Sequence, residues 1–481
     1  DVREALAERD ELLLEQHLEE TASRADYLSG ARRAFAACAL YPVLAGSALG
    51  DIGVDALAEA VGALCRTDYA RREGEPFSAK AYRVRRVGGV RYTYVKVTSG
   101  VLRARDEVRT ISGVCKVAAI LAPQGGRLLP MGEAHAGQTA ALAGLSARPG
   151  EQIGDGFGLE APETVPLMSV QVEPTAPLTQ SALLAHLREM EEEDPLLSVR
   201  PEADGVSVGV MGVVQVEVLQ GILAARFGDV VRICPPHVLY KETIAAPVVG
   251  IGHYEPLRHY AEVWLKLEPG APGSGISFAA DCPPNSLDEN WQRLIRTHVF
   301  ERAHPGVLTG SPLCDVRIRL IAGRAHLKHT EGGDFREATC RAIRNALMQA
   351  ENVLLEPVVR FELAMPNEAL ARVTGELLRI GAQLDASETD GGETTLTGRC
   401  TAAMFWDYPT RFAASTHGHG RIASRFDRYE PCKNQDDIVR QSGYDPLADT
   451  LNPPGSVFCS HGAGFYVAWD HVREWAHCEV E

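Results

Sequence analysis

Thr416-His417-Gly418-His419-Gly420-Arg421-Ile422-Ala423-Ser424-Arg425-Phe426-Asp427-Arg428-Tyr429-Glu430-Pro431 opens as a basic loop punctuated by glycine and continues as a strand over Gly420 to Asp427. Glycine lets a backbone lie against a partner, while Arg and His bind phosphate or stack on rings. Upstream of it, Val358-Val359-Arg360-Phe361-Glu362-Leu363 reads as a strand, Glu368 to Ile380 as a helix and Thr394 to Gly398 as another strand. That succession predicts an α+β unit over 354–432.

Working outward, 481 residues suggest several domains. Residues 1–30 carry nine acids and three Arg, with Leu12, Leu13, Leu14 and Leu18 as a helical apolar stripe. The chain opens on Asp1 inside this stretch, which reads as a chain lacking its N-terminal part. Tyr41-Pro42-Val43-Leu44-Ala45 reads as a short buried strand, followed by a turn at Gly46-Ser47-Ala48-Leu49-Gly50 and a helix through Val54, Leu57, Ala60 and Leu64. Alternation from Phe77 to Leu145 predicts a small antiparallel β-barrel over 73–147. A Gly/Pro-rich linker is expected over 148–177, then a ferredoxin-like unit over 178–244 whose last strand runs through Val230, Val231 and Ile233. An α/β unit follows over 245–353, where Phe335 to Ala350 is a helix with Ala338, Ala342, Ala346 and Leu347 on one face, and residues 433–481 read as an irregular extension. The fold class is multidomain α+β: a barrel, then ferredoxin-like domains on either side of an α/β domain.

The formal charge of -16 taken whole argues against a nucleic-acid partner. Its distribution argues otherwise, since residues 81–110 hold eight Lys/Arg against two acids. No run of 18 apolar residues could span a bilayer. Eleven scattered cysteines without a C-x-x-C pair suggest a reduced, cytoplasmic chain.

Several motifs fail on their surroundings. Gly205-Val206-Ser207-Val208-Gly209 matches a nucleophile elbow, but alternating valines put Ser207 on a strand, and the Gly-rich Ser460-His461-Gly462-Ala463-Gly464 comes too late to serve as its oxyanion loop. His326, His329, Glu331 and Asp334 are metal-ligand types in a loop, yet their spacing fixes no tetrahedral site. No G-x-x-x-x-G-K-[ST] occurs, and Lys433-Asn434-Gln435-Asp436 lacks the Asn-Lys-x-Asp order.

Five segments resemble translational GTPases of the elongation factor G type. Pro42-Val43-Leu44-Ala45-Gly46-Ser47-Ala48-Leu49 resembles the last guanine-contacting motif. Met211-Gly212-Val213-Val214-Gln215-Val216-Glu217-Val218-Leu219 is similar to a third-domain motif, and Pro236-His237-Val238-Leu239-Tyr240-Lys241-Glu242-Thr243-Ile244 to the passage into the fourth domain. Leu354-Leu355-Glu356-Pro357 and the 416–431 stretch resemble the opening and exit of the fifth. Within that superfamily, Arg324 to Arg336, closing on Asp334-Phe335-Arg336, resembles the tetracycline-resistance ribosomal protection proteins, although Ala325-His326-Leu327-Lys328-His329-Thr330 departs from their Tyr-Ser-Pro-type tip.

The resemblance implies that residues 1–72 are the end of a GTP-binding domain and that Ser47, Ala48 and Leu49 touch the base of GTP. GTP and Mg²⁺ are the cofactors of the full-length family, but without phosphate loop or switches this chain alone is expected not to hydrolyse GTP, and no catalytic residue is assigned. The implied partner of a monomeric chain is the ribosome, with displacement of tetracycline as the finer expectation. Contacts are expected from Arg324, His326, Leu327, Lys328, His329 and Thr330, and from Arg411, His417, His419 and Arg421. A non-enzymatic ribosome-binding module, or an elongation factor G-like paralogue without resistance activity, is the alternative.

Overall fold

Helices Val2–Ala7, Glu11–Leu18 and Arg24–Ala36 form from the acidic N-terminal stretch, the second and third with a local cap at their start. Asp10 accepts the Leu13 N–H, and Ser23 and Asp26 make a reciprocal capping box. The computed structural model describes residues 2–159, 165–202, 205–228 and 231–478, in two compact units, 1–161 and 162–481. Of the leucine stripe only Leu13 is buried, beside Leu6 and Ala7, while Leu12 and Leu18 face solvent. Tyr41 to Ala45 is not a buried strand: it is irregular, with Val43 95% exposed, because none of the described residues pairs with it.

The first unit continues as antiparallel β-structure. Its main sheet orders the strands Gly158–Leu159, Glu151–Gly154, Ser78–Val87, Val90–Ser99, Thr139–Ala143, Ala119–Gln124 and Arg127–Met131. Two ribbons accompany it, Val101–Arg103 with Glu133–His135 and Glu107–Thr110 with Gly113–Lys116. The pairings give an open run of seven strands and do not of themselves close a barrel. Part of the expected linker belongs here: Glu151–Gly154 pairs with the strand from Ser78, and the buried Glu151 carboxylate accepts the backbone N–H groups of Ile111 and Arg148.

In the second unit another part of that linker, Met168–Pro174, is the central strand of a sheet ordered Arg200–Pro201, Val206–Val210, Met168–Pro174 and Val231–Ile233. With helices Gln180–Glu193 and Val213–Phe227 this is a ferredoxin-like order, numbered 2-3-1-4 by chain position. Met168, Val170 and Val172 are buried there, an alternation hidden in sequence by the flanking prolines. Residues 160–164 of the linker, and Val230, lie outside the described residues.

The fifth-domain sheet repeats the order. Asn352–Pro366 lies between Glu393–Thr401 and Arg421–Pro431, with Gln383–Asp390 beyond Glu393–Thr401. The two ferredoxin-like domains share one core, joining Val170, Leu183 and Leu223 to Phe361, Leu363, Phe405 and Phe412. Lys241–Ile244, read as the end of the earlier domain, instead pairs with Asn352 to Leu355. Glu242 on it is fully buried and accepts the backbone N–H groups of Leu308, Thr309 and Ser311, with Gly306 against its carboxylate. A Cβ on Gly306 would lie 2.0 Å from a Glu242 oxygen, so only glycine fits.

The α/β domain has a six-stranded sheet ordered Ile276–Ala280, Val316–Ala325, Ala261–Pro269, Val248–Tyr254, Ser456–Ser460 and Ala463–Val467. Its last two strands come from the C-terminal extension, which therefore is not irregular but completes this domain. Helices Glu289–Phe300 and Gly332–Gln349 belong to the domain, the second burying the alanine face expected of it. Gly250 and Gly252 admit that helix so closely that Cβ atoms there would lie 2.1 and 1.8 Å from its Ala342 and Ala338 carbonyl oxygens.

Candidate nucleic-acid interface

Strand register decides which loops meet. Ala261 pairs with Ala325, and Tyr254 lies in parallel register with Val457. Residues 255–260, residues 326–331 and the turn after Ser460 therefore emerge at one end of the sheet.

The loop after Ala325 is held from below. The Thr330 hydroxyl donates to the Tyr260 carbonyl at 2.6 Å and accepts the His326 N–H at 2.7 Å, while the Lys328 N–H donates to His326 Nδ1 at 3.2 Å. These bonds tie the base of the loop and turn its crown outward. Leu327 is 105% exposed, and the His326 and His329 rings stack with centroids 4.5 Å apart. Lys328 is exposed and has no ion-pair partner among the described residues. Arg324 donates to the His477 carbonyl at 3.4 Å, a contact to the tail that the sequence does not foretell. The neighbouring hairpin adds Leu257, 64% exposed, and Arg258, held at φ +68.

Beneath the tip lies Glu262, fully buried. Its carboxylate accepts four N–H groups: His253 Nδ1 and the His477 backbone, each at 2.8 Å, Trp264 Nε1 at 2.8 Å and the Cys478 backbone at 2.7 Å. Burial alone would push its pKa up, but these bonds, that of His253 first, turn the shift around and hold it down to about 2. A buried carboxylate held by four N–H groups thus fastens the C-terminal tail to the base of the tip.

The metal-ligand types noted in the tip sequence do not assemble. Glu331 and Asp334 form the capping box of helix Gly332–Gln349, and Asp334 bonds His259 Nδ1 at 2.8 Å. Ser207 lies in a strand, buried and paired with Gln171 and Arg200, so no nucleophile elbow exists there. Ser460 to Gly464 is a hairpin turn with its flanking residues.

The fifth-domain loop is built locally, between helix Tyr408–Ser415 and strand Arg421–Pro431. His417 and Gly418 take φ of +51 and +78, and the Thr416 hydroxyl accepts the Gly420 N–H. His417 and His419 are exposed. Arg411 pairs with Asp407 at 3.2 Å and Arg421 with Glu393 at 2.9 Å, so both expected donors already have acids beside them.

Ser47, Ala48 and Leu49 form a turn, closed by reciprocal backbone bonds between Ser47 and Ile52. The turn leaves Leu49 105% exposed just before helix Val54–Leu64. No phosphate-loop motif occurs in the sequence to hold the phosphates of a nucleotide beside it.

Residues 236–351 match the family model described as elongation factor G, domain IV, and residues 353–438 match the elongation factor G C-terminus. The crystal structure of ttk003000868 from Thermus thermophilus is similar over 92% of this chain and 69% of that one, at 25% identity and a TM-score of 0.53. The span from 236 to 438 is thus elongation factor G-like in its domains, and it contains both basic loops. Among the described residues no helix is long and apolar enough to cross a membrane.

Proposed function

We propose that the chain is part of a ribosome-binding translation factor of the elongation factor G type, and that the fourth-domain tip is its principal RNA contact. The observation that carries this is the exposed crown His326, Leu327, Lys328 and His329, with the exposed Arg324 on the strand below it and Thr330 tying its base, at one end of a domain matching elongation factor G domain IV. Exposed cations on a loop suit phosphate, and paired imidazoles beside an apolar residue suit unstacked bases. Arg411, His417, His419 and Arg421 supply a second, weaker contact.

Within this reading, Ser47, Ala48 and Leu49 touch the guanine of GTP, and GTP controls binding in the full-length family. The finer role is protection against tetracycline, supported by the resemblance of residues 324–336 to the ribosomal protection proteins. The experiment has two arms. Pelleting with purified ribosomes is expected for the chain and weakened on replacing Lys328 and His329 by Ala; pelleting that ignores the substitution removes the tip from the interface. Drug susceptibility of cells expressing the full-length gene then separates protection from a translocation-type role, since unchanged susceptibility rejects protection alone.

A further inference from the structure

Among the described residues one group of metal-ligating side chains is assembled, and it joins residues that no sequence spacing connects. His253 and Glu255 lie at the end of strand Val248–Tyr254, Glu262 on the neighbouring strand and His477 on the C-terminal tail. Ligand atoms of His253, Glu262 and His477 all fall within 4.8 Å of one another.

The bonding pattern separates the orienting group from the free donors. Glu262 has about four lone-pair positions, and four N–H groups occupy them. It has none left for an ion. What it does is accept the His253 Nδ1–H at 2.8 Å, which directs the lone pair of Nε2 away from it. A carboxylate behind an imidazole in this way is the usual outer support of a metal-bound histidine.

Nε2 of His253 then faces a Glu255 carboxylate oxygen at 3.1 Å. Two lone pairs at that distance repel unless a cation lies between them, either a proton or a metal ion. The His477 ring stands edge-on to His253 with centroids 4.8 Å apart. Its Nδ1 meets the Tyr260 hydroxyl at 3.0 Å, and it offers a ring nitrogen within 4.8 Å of ligand atoms of His253 and Glu262. His477 is exposed and Glu255 half-buried, so the site opens to water on one side.

We propose that His253, Glu255 and His477 bind a divalent transition-metal ion, with Glu262 as the orienting carboxylate. Two imidazoles and one carboxylate, with water completing a tetrahedron, suit Zn²⁺. The ion joins the end of the sheet to the tail and so fastens the extension beneath the tip.

The test uses the whole chain, stripped with chelator and dialysed, titrated calorimetrically with Zn²⁺ and spectroscopically with Co²⁺. The expected result is one equivalent bound per chain, tetrahedral Co²⁺ absorption and a raised melting temperature. His477→Ala and Glu255→Gln, both at accessible positions, are expected to weaken binding about 10-fold or more. Glu331→Gln, in the sequence-adjacent but unassembled group, is expected to bind as the parent does. A folded parent chain that takes up no stoichiometric Zn²⁺ or Co²⁺ overturns the proposal and leaves a proton as the bridging cation. Uptake that survives unchanged in both His477→Ala and Glu255→Gln overturns it too.

Discussion

The fourth-domain tip and the fifth-domain loop present the same residue types on glycine-containing loops, but they are made in different ways. The tip draws on four separated stretches, around 255–262, 324–334, 456–462 and 476–478, gathered over one buried carboxylate. The fifth-domain loop is a single helix-to-strand connection stiffened by Thr416 and by the fit of Gly420 against Phe412. Their cations differ as well: Lys328 has no acid paired with it among the described residues, whereas Arg411 and Arg421 each have one. The lesson is that a tally of Arg and His overstates the fifth-domain loop. An arginine that must first leave a carboxylate gains less from a phosphate than a cation without one.

The comparison breaks most sharply at Glu262. Glu262→Gln turns an acceptor of four N–H groups into one that opposes some of them, and is expected to destabilise the domain by about 3 kcal/mol or more. Chemical denaturation checks it, and proteolysis should release the residues after about 470 first. Stability within a few tenths of the parent means the tail is not held as described. Next comes Gly420→Ala, whose Cβ would lie 2.6 Å from two ring carbons of the buried Phe412. A loss of about 1–3 kcal/mol is expected, since the ring has nowhere to go. An unchanged melting temperature there means the loop is looser than its packing implies.

Smaller is the pH dependence of the extension. Burial raises the Asp449 pKa, but the Tyr444 hydroxyl, Asn452 and the Arg344 guanidinium more than offset it, so the carboxyl stays below its ordinary value. A depressed folded pKa gives stability that is fully present above the unfolded value near 3.8 and is lost as pH falls through the folded one. Acid unfolding of Asp449→Asn should thus show a weaker slope below about pH 4 than the parent; identical slopes remove Asp449 from the linkage. Smallest of all is Arg421→Ala, where an exposed pair is lost and stability, read by the same denaturation, should move by less than about 1 kcal/mol.

Much of the fold is legible in period and order. Most helices and alternating strands follow from local pattern, because their apolar residues recur at the spacing of the element they form. Three of the features that are not legible show why, each for a reason of range. Met168–Pro174 is a central strand whose alternation is hidden by prolines on both sides. Tyr41 to Ala45 has strand composition, but a strand also needs a neighbour. Ser456–Ser460 finds its partner some 200 residues away, and nothing in its own composition announces that. At the site, His326 to Thr330 could be singled out because they are contiguous and basic. Tyr260, Glu262 and His477 were not, because their role arises only when the tail folds back; an acid set beside Val263 and Trp264, Glu262, is the one mark in the sequence that could have drawn attention to it.

The most direct test of the unequal loops is the salt dependence of ribosome binding. Parent chain, Lys328→Ala/His329→Ala and Arg411→Ala/Arg421→Ala are compared by co-sedimentation across a range of salt concentrations. The tip variant is expected to bind more weakly at every concentration, its slope of log affinity against log salt falling by about 1 for each phosphate it no longer neutralises, while the fifth-domain variant keeps a slope close to the parent's. Equal slopes in the parent and the tip variant, or a larger loss from the fifth-domain variant, would contradict the account.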